Sequence, residues 1–387
     1  YTKVFMNQSQ QIKVSSPKDK VYFLILQGGM GARILQTAFI RTLIRQRKQD
    51  GNTYPILVCD NTLIGHMVSA ALSNQQVYGI QIPEGQGGYP NDPGLWSIGE
   101  AGLEHPTFTH WLEQFKNAKI PNQLDLWELL NNNWQRAYSI EYGFALTKLI
   151  HQHKYKADKK SFISHHYSKV MGLDYDGGPP MLKVTEQNNQ VSNFMRSTSK
   201  PVVLLHLGMD RNPQDYAQPI NYRTFKVWSL QRWAELVDKL KSKYSFVQVS
   251  NGQDNPDIPN VQSIKVDNLN PILQMLEHPK CKFFMSIDNN VPHLAATIKK
   301  KGIVLWGSVS PNVWGHDHNI NIWNKSSCDI IGCWRPGMFD VNPKGQSWVC
   351  DRGYSCMKSI TVEQVLREVE KLEGTLGKDT NKDKIIL

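Results

Sequence analysis

The side chains best suited to chemistry lie in the segment 280–316, KCKFFMSIDNNVPHLAATIKKKGIVLWGSVSPNVWGH. Its apolar run predicts a buried strand that delivers Asp288 to its carboxyl end, and the asparagines that follow form a turn. We expect Asn290 or Val291 to cap a short helix, because Pro292 lacks an amide hydrogen and suits a first helical turn. The open N–H groups of that helix favour a phosphate, and His293 is placed to donate to a phosphate oxygen. Alternatively, Asp288 and His293 only cap the helix.

Strands and helices alternate along both halves of the chain. The apolar run 21–27 is typical of a strand buried on both faces of a parallel sheet, and the glycine loop 28–31 leads from it into a helix. Further strands are predicted at 56–60, 77–82, 201–207, 246–250, 282–288 and 302–306, and helices at 63–72, 230–240, 292–298 and 361–372. Such alternation implies right-handed crossovers and a ligand crevice at the carboxyl ends of parallel strands. We expect an α/β fold with two Rossmann-like, doubly wound domains that face a central cleft.

Composition suggests where the domains begin and end. Residues 1–20 form a polar extension, and a first domain follows at 21–190. The stretch 187–200 is polar and nearly lacks apolar periodicity, so we place a linker at 191–200. The second domain covers 201–372, and the Gly- and Lys-rich residues 373–387 predict a flexible tail.

Length and charge limit the classes of protein that fit. A chain of 387 residues is long enough for two domains, and 40% hydrophobic residues are typical of a globular protein. No apolar run approaches the length of a membrane helix, and the polar residues 1–20 predict no secretory leader, so we expect a cytoplasmic protein. The formal net charge of +10 is concentrated in residues 1–50 and 151–169. These segments favour an anionic partner, either a phosphorylated glycan, a membrane surface or nucleic acid, or they are solvated surface.

Three motifs carry a resemblance to a known family. They are Asp288-Asn289-Asn290-Val291-Pro292-His293-Leu294-Ala295-Ala296, Val304-Leu305-Trp306-Gly307 and Pro311-Asn312-Val313-Trp314-Gly315. Together they resemble the signature of the ADP-heptose:lipopolysaccharide heptosyltransferases of glycosyltransferase family 9, which are inverting enzymes of the GT-B fold. Asn290 stands where that family usually has glycine, which is a departure within the phosphate-binding turn.

The resemblance implies a donor site in the second domain and an acceptor site in the first. Lys226-Val227-Trp228 is similar to a Lys/Arg-x-Trp motif of the family, which implies that Lys226 pairs with the donor diphosphate. An ammonium group is a compact partner for the charge that develops on a diphosphate leaving group. The residues expected to bind the nucleotide sugar are Gly29, Gly31, Lys226, Trp228, Asp288, Asn289, Asn290, His293 and Gly307. ADP is the favoured nucleotide, and no catalytic metal is expected.

The general base departs from the family pattern. An inverting transferase needs a group that takes the proton of the acceptor hydroxyl, and in the family an Asp follows the first glycine loop. Here Ala32 and Arg33 hold that place, so either the base has moved or the activity is absent. Asp60, at the end of a predicted strand, is the first substitute, followed by His105, Glu104 and Asp92. Arg33 suits an anionic acceptor or the donor phosphates, or is an exposed helix residue.

Four of the six cysteines form a cluster, Cys328-x4-Cys333-x16-Cys350-x5-Cys356. The segment 328–356 is rich in Gly and Pro, and a structural zinc or iron bound by four thiolates would hold it together. Within it, Gly332-Cys333-Trp334 together with Trp348-x-Cys350 resembles the iron-binding finger of the bacterial autotransporter heptosyltransferases. Disulfides or free thiols are the alternatives.

The sequence therefore predicts an inverting glycosyltransferase that uses a nucleotide-diphosphate sugar. The acceptor is expected to be anionic, such as a lipopolysaccharide core, a glycan or a protein. One alternative is sugar transfer to a modified nucleic-acid base, which the basic segments motivate. A second alternative is a non-catalytic relative that binds a nucleotide sugar or a glycan, which the missing Asp motivates.

Overall fold

The computed structural model describes residues 21–26, 29–51, 56–60, 62–81, 134–139, 162–208, 226–250, 257–328 and 352–376. The chain divides into two compact units. Unit 1 comprises Tyr1–His153 and Phe162–Glu186, and unit 2 comprises Lys154–Ser161 and Gln187–Leu387. Within the described segments, no helix combines the length and the apolar character needed to cross a membrane.

Unit 1 contains a parallel sheet with the strand order β3-β2-β1-β4. Its strands are β1 (Val21–Ile25), β2 (Ile56–Asp60), β3 (Val77–Gln81) and β4 (Trp134–Ser139). Its helices are α1 (Met30–Gln36), α2 (Ile40–Gln49), α3 (Ile64–Ala71) and α4 (Ile163–Met171), with a 3-10 turn at Thr37–Phe39. Ile56, Leu57 and Val58 of β2 are completely buried, as a strand covered on both faces requires.

A pair of glycines lets α3 lie directly on the sheet of unit 1. A Cβ atom on Gly79 of β3 would come within 2.2 Å of the carbonyl carbon of Gly65 in α3. A Cβ atom on Gly65 would come within 2.6 Å of the carbonyl oxygen of Val58. Only glycine fits at both positions, and the contact sets the start of α3 against the end of β2, where Asp60 lies.

Unit 2 contains a second parallel sheet with the order β10-β9-β8-β5-β6-β7. Its strands are β5 (Val202–His206), β6 (Ser245–Ser250), β7 (Gln262–Lys265), β8 (Cys281–Ile287), β9 (Gly302–Leu305) and β10 (Ile320–Ile322). Counted from β5, this is the strand order of a dinucleotide-binding sheet, and the order reverses between β5 and β8. The Rossmann-like fold class expected from the sequence is confirmed.

The helices of unit 2 bury apolar residues, with one exception. They are α5 (Asn189–Ser197), α6 (Leu230–Leu240), α7 (Asn270–Glu277), α8 (Asn290–Ala296), α9 (Pro311–Trp314), α10 (Ser355–Lys358) and α11 (Val362–Leu376). The exception is α9, in which no residue is buried. Helices α6 and α11 pack together over one face, where Trp228 and Trp233 meet edge to face with ring centroids 5.0 Å apart. Such aromatic pairs stabilise a core beyond the area that they bury.

Two expectations about the ends of the second domain are wrong. The stretch 191–200 was expected to be a linker, but most of it lies in helix α5. Its side chains at Val191, Phe194 and Met195 are buried, and Asn188 caps the helix by accepting from the backbone N–H of Val191. The tail was expected to begin at 373, but α11 continues to Leu376.

Candidate functional site

The point where the strand order of unit 2 reverses is the starting point for the site. In open α/β sheets, ligands bind outside the carboxyl ends of the strands at this position. Strand β5 ends in His206, and β8 leads through Ile287 into Asp288 and Asn289. Polar side chains therefore meet at the end of two adjacent buried strands.

Asn289 holds this junction together through four contacts. Its Oδ1 atom accepts from the backbone N–H of Val291 at 2.9 Å and from the hydroxyl of Ser286 at 3.0 Å. Its Nδ2 atom lies 2.9 Å from Nδ1 of His206 and donates to the carbonyl oxygen of Gly208 at 3.2 Å. Asn289, and not Asn290 or Val291 as expected, is thus the N-cap of α8.

The cap leaves fewer backbone donors than the sequence suggested. The N–H of Val291 is bonded to Asn289, and Pro292 has no N–H to offer. The backbone of the first turn of α8 therefore supplies little of the positive charge that a phosphate needs. A charged side chain must supply the rest.

Lys226 and Asp288 form a nearly buried ion pair at the same junction. The Nζ atom of Lys226 lies 2.6 Å from Oδ2 of Asp288, and the two side chains are 10% and 7% exposed. A buried pair of this kind contributes little net stability, because desolvation of both charges offsets their attraction. The pair places an ammonium group at the carboxyl end of the sheet.

His293 lies beside this pair and contacts a second histidine. Nδ1 of His293 is 2.9 Å from Nε2 of His316, and the ring of Trp314 lies 6.1 Å away. Burial lowers the pKa of His293 to about 4; Asp288 opposes this effect and Lys226 adds to it. Burial also lowers the pKa of His316 well below its usual value. Both imidazoles are therefore neutral at pH 7, and they share one hydrogen bond.

His206 is also neutral, for the same reason. Burial lowers its pKa to about 4. Since the amide Nδ2 of Asn289 can only donate, Nδ1 of His206 accepts and its proton is carried on Nε2.

His206 and His316 were not singled out from the sequence. A polar residue at the end of the predicted strand 201–207 is a signal that could have identified His206. His316 follows a short helix, and no local pattern connects it with His293.

Trp228 and Gly307, both expected to bind the nucleotide sugar, have structural contacts. Trp228 is 2% exposed and donates from Nε1 to the carbonyl oxygen of Ile360 at 2.9 Å, within the core described above. The carbonyl oxygen of Gly307 accepts from Nε1 of Trp323 at 3.0 Å. Asn290, by contrast, is partly exposed at the first position of α8.

The glycine loop of unit 1 leads into α1. Gly29 is exposed at the N-cap position, and its carbonyl oxygen accepts from the backbone N–H of Arg33 at 3.1 Å. Gly31 lies within α1 and is partly exposed. Gly28 lies outside the described residues.

Asp60 and Arg33, the pair assigned to catalysis, lie close enough for their charges to interact, but both are buried. Oδ1 of Asp60 accepts from the N–H of Gly65 at 3.2 Å, and Oδ2 accepts from both the backbone and the hydroxyl of Thr62. Burial raises the pKa of Asp60 to about 6, against the opposing effects of these hydrogen bonds and the charge of Arg33. The carboxylate is thus occupied by the start of α3. The other candidate bases, Asp92, Glu104 and His105, lie outside the described residues.

Two of the four clustered cysteines are described. Cys328 follows the 3-10 turn Lys325–Ser327, and Cys356 is buried in α10. The turn and α10 contact each other, and Asn324 donates to the hydroxyl of Ser359 at 3.1 Å across them. Cys333 and Cys350 lie outside the described residues, and within those residues no three His, Cys, Asp or Glu side chains form a metal-binding group.

Comparisons with known proteins identify solved structures of the same fold. No protein-family model and no curated protein sequence matches the chain. The iron-containing dodecameric glycosyltransferase TibC from enterotoxigenic E. coli is 14% identical with a TM-score of 0.58, over 94% of this chain and 78% of TibC. A second structure of TibC, described as a heptosyltransferase in complex with ADP-D-beta-D-heptose, has a sequence identity of 14% and a TM-score of 0.56. The match covers 93% of this chain and 77% of TibC. A glycosyl transferase family 9 protein from Veillonella parvula has a sequence identity of 14% and a TM-score of 0.51. The match covers 92% of this chain and 98% of the Veillonella protein.

These likenesses extend over almost all of the chain. At this level of identity they confirm the fold that the family resemblance implied, with a Rossmann-like arrangement in each unit. The residues of the site carry the inference about activity.

Proposed function

We propose that the chain is a glycosyltransferase that moves a sugar from a nucleotide-diphosphate donor to an anionic acceptor. The observation that carries this proposal is the Lys226–Asp288 ion pair, nearly buried where the strand order of unit 2 reverses. A fold shared with solved glycosyltransferases, one of them in complex with ADP-heptose, supports it. ADP is the favoured nucleotide of the donor.

Lys226 has the central role in this proposal. When the donor binds, its diphosphate competes with Asp288 for the ammonium group, so Lys226 is shared between a carboxylate and a phosphate. Asp288 holds the ammonium in place before binding, which reduces the cost of ordering a long side chain. As the bond between sugar and phosphate breaks, negative charge grows on the leaving diphosphate, and the ammonium stabilises it.

His293 supplies a neutral donor to the same diphosphate. In the tautomer that can donate, Nδ1 accepts from Nε2–H of His316 and Nε2 carries the proton. The lowered pKa of His293 keeps this tautomer neutral across the physiological range. His316 is therefore a positioning residue that fixes the ring and its proton.

We do not assign Asp60 as the base that activates the acceptor hydroxyl. Both of its oxygens already accept hydrogen bonds, and the residue is 1% exposed. Arg33 is also buried, and its positive charge interacts with Asp60, so we assign Arg33 the role of balancing the charge of that carboxylate.

A nucleotide panel tests the proposal. We expect one of ADP, UDP, GDP and CDP to raise the melting temperature of the wild type, because a ligand at about 100 times its Kd stabilises a fold by about 2.7 kcal/mol. Release of the same nucleotide from its sugar conjugate that depends on a glycan acceptor, with the sugar recovered on that acceptor, would establish transfer. No stabilisation by any of the four would contradict the proposal.

A non-catalytic relative that binds a nucleotide sugar is the second candidate. It is favoured by the occupied carboxylate of Asp60 and by Ala32 and Arg33 at the place where the family has its base. The two candidates predict the same nucleotide binding but differ in turnover. Any sugar transfer by the wild type that Lys226→Gln abolishes would exclude the second candidate.

We further propose that the four clustered cysteines hold a structural zinc or iron ion. The contact between the elements that carry Cys328 and Cys356 supports this, as does a donor set of thiolates. TibC is described as iron-containing, which favours iron. Elemental analysis is expected to find about one metal ion per chain in the wild type and far less in Cys356→Ser. Equal metal contents would contradict the assignment.

A further inference from the structure

Unit 2 has a row of lysines at the amino-terminal end of its sheet, opposite the candidate site. The four segments that lead into β5, β6, β8 and β9 are 197–201, 241–245, 278–282 and 298–302. They contain no Asp or Glu, and their lysines are Lys200, Lys241, Lys243, Lys280, Lys282, Lys299, Lys300 and Lys301. We name this set the lysine edge. It is separate from the basic segments 1–50 and 151–169.

The sheet brings the four segments side by side. Strands β9, β8, β5 and β6 are consecutive neighbours, and all of them are parallel. Neighbouring strands lie about 4.8 Å apart, so the four entry points span about 14 Å. The entry points of adjacent strands are therefore closer together than a Debye length at physiological salt, roughly 8 Å, so the positive charges of neighbouring segments reinforce one another.

Three of these ammonium groups are held by neutral partners. Lys200 donates to the carbonyl oxygen of Lys241 at 2.8 Å, and Lys300 donates to that of Cys281 at 2.8 Å. Lys280 donates to the carbonyl oxygens of Met195 and Thr198, both at 2.8 Å. Because a carbonyl group carries no net charge, these contacts fix the lysines in place and leave the positive field intact.

Acidic groups from neighbouring elements reach the lysine edge. Asp238 pairs with Lys241, and Glu373 pairs with Lys243 at 2.5 Å and also interacts with the charge of Lys282. Both pairs are at least partly exposed to solvent, and such pairs are weak. Asp317 lies near His318, together with Lys299 and Lys301. The field extends to His278, whose pKa is lowered by burial and further by Lys280 and Lys300.

We propose that the lysine edge binds the surface of an anionic lipid bilayer. Polybasic segments gain roughly 1 kcal/mol for each lysine held near anionic headgroups, without a specific fit. Lysine is suited to this, because its ammonium is a compact point charge that needs no particular geometry of the phosphate. The inference goes beyond the proposed transferase activity, because it concerns the other end of the strands and needs no donor.

Nucleic acid fits the lysine edge less well. The four segments contain no Arg, the residue that pairs with phosphates through two parallel hydrogen bonds. Their one Phe, Tyr or Trp residue is Tyr244, which is buried, so no such ring is presented for stacking on bases. A row of lysines without arginine and without an exposed aromatic ring suits a surface of anionic lipid headgroups better than it suits nucleic acid.

The experiment compares two triple variants of the full chain that carry the same net charge. The test variant is Lys241→Gln, Lys282→Gln and Lys299→Gln, all exposed on the lysine edge. The matched control is Lys183→Gln, Lys265→Gln and Lys358→Gln, which are exposed elsewhere. Vesicle binding is measured by co-flotation with phosphatidylcholine vesicles, with and without about one-third phosphatidylglycerol. Binding to duplex DNA is measured separately, at an equal concentration of phosphate.

We expect the wild type and the control variant to bind the anionic vesicles and not the neutral ones. The test variant should bind about a hundredfold more weakly, from about fivefold for each lysine removed. Salt at about 1 M should release the wild type. The proposal is overturned if the wild type does not bind anionic vesicles, or if the two variants bind alike. It is also overturned if duplex DNA binds more tightly than vesicles and depends on the same three lysines.

Discussion

At the scale of the residue, Asp60 is a buried carboxyl group that titrates close to neutrality. Its pKa is raised from an ordinary value of 3.8 to about 6, chiefly by burial. Because the folded-state pKa lies above the unfolded-state value, its contribution to stability is full at low pH and is lost as the pH rises through about 6. Asp60→Asn cannot ionise, so we expect the free energy of unfolding of the variant relative to the wild type to rise by about 1–2 kcal/mol from about pH 5 to pH 8. Chemical denaturation at several pH values measures this difference.

The same variant decides whether Asp60 is the base. If it only caps α3, sugar transfer by Asp60→Asn should stay within about tenfold of the wild type. A loss of more than about a hundredfold, with an unchanged melting temperature, would return Asp60 to the role that the sequence suggested.

A substitution at Trp228 tests whether this side chain stabilises the core or contacts the nucleotide. Trp228→Phe keeps most of the apolar area but leaves the carbonyl oxygen of Ile360 with one donor fewer. We expect a loss of about 1–3 kcal/mol in the free energy of unfolding, with the Kd for ADP unchanged within about twofold. A weakened Kd at full stability would mean that Trp228 contacts the nucleotide.

At the scale of the element, the two asparagine caps of unit 2 can be compared directly. The side chain of Asn188 accepts from the N–H of Val191 at the start of α5. Asn289 does the same for α8 and also joins β5 to β8 through His206, Ser286 and Gly208. We expect Asn188→Ala to cost about 1 kcal/mol and Asn289→Ala about 2–4 kcal/mol, because buried partners lose their bonds. Equal losses in a denaturant titration would show that the cross-link at Asn289 adds nothing.

Strong periodicity made most elements predictable. The seven predicted strands are all present with ends within two residues, because each is built around a run of largely apolar, buried residues. Strands β4, β7 and β10 were not predicted. Strands β7 and β10 are only four and three residues long, and β7 is largely exposed. Helices α4, α5, α7, α9 and α10 were not predicted either. In α5, only three apolar residues mark the buried face within a polar stretch.

The site was predictable in part. Asp288 lies at the end of a recognisable strand, and Lys226 precedes a recognisable helix, so both could be assigned to the carboxyl end of a sheet. Their pairing, and that of His293 with His316, joins residues far apart in sequence, which no local pattern reveals. The N-cap was misplaced by one residue because Asn289 and Asn290 are chemically identical, and only the contact with His206 distinguishes them.

At the scale of the whole molecule, two sheets of the same type have different polar residues at their carboxyl ends. In unit 1, the carboxyl end of β2 carries Asp60, which is engaged by the start of α3. In unit 2, the carboxyl end of β8 leads to Asp288, which holds a lysine. The ammonium of Lys226 can exchange a carboxylate partner for a phosphate. The carboxylate of Asp60, by contrast, is held by hydrogen bonds from the start of α3. We therefore assign diphosphate binding to unit 2.

The most direct test of that claim is calorimetric titration of the wild type, Lys226→Gln, Lys226→Arg and the surface control Lys239→Gln with ADP and with adenosine. The ratio of the two Kd values isolates the diphosphate and is insensitive to a general loss of stability. We predict that ADP binds at least about tenfold more tightly than adenosine to the wild type, to Lys239→Gln and to Lys226→Arg. The preference should disappear in Lys226→Gln. A Lys226→Gln variant that keeps the full preference for ADP would contradict the assignment of this site to a diphosphate.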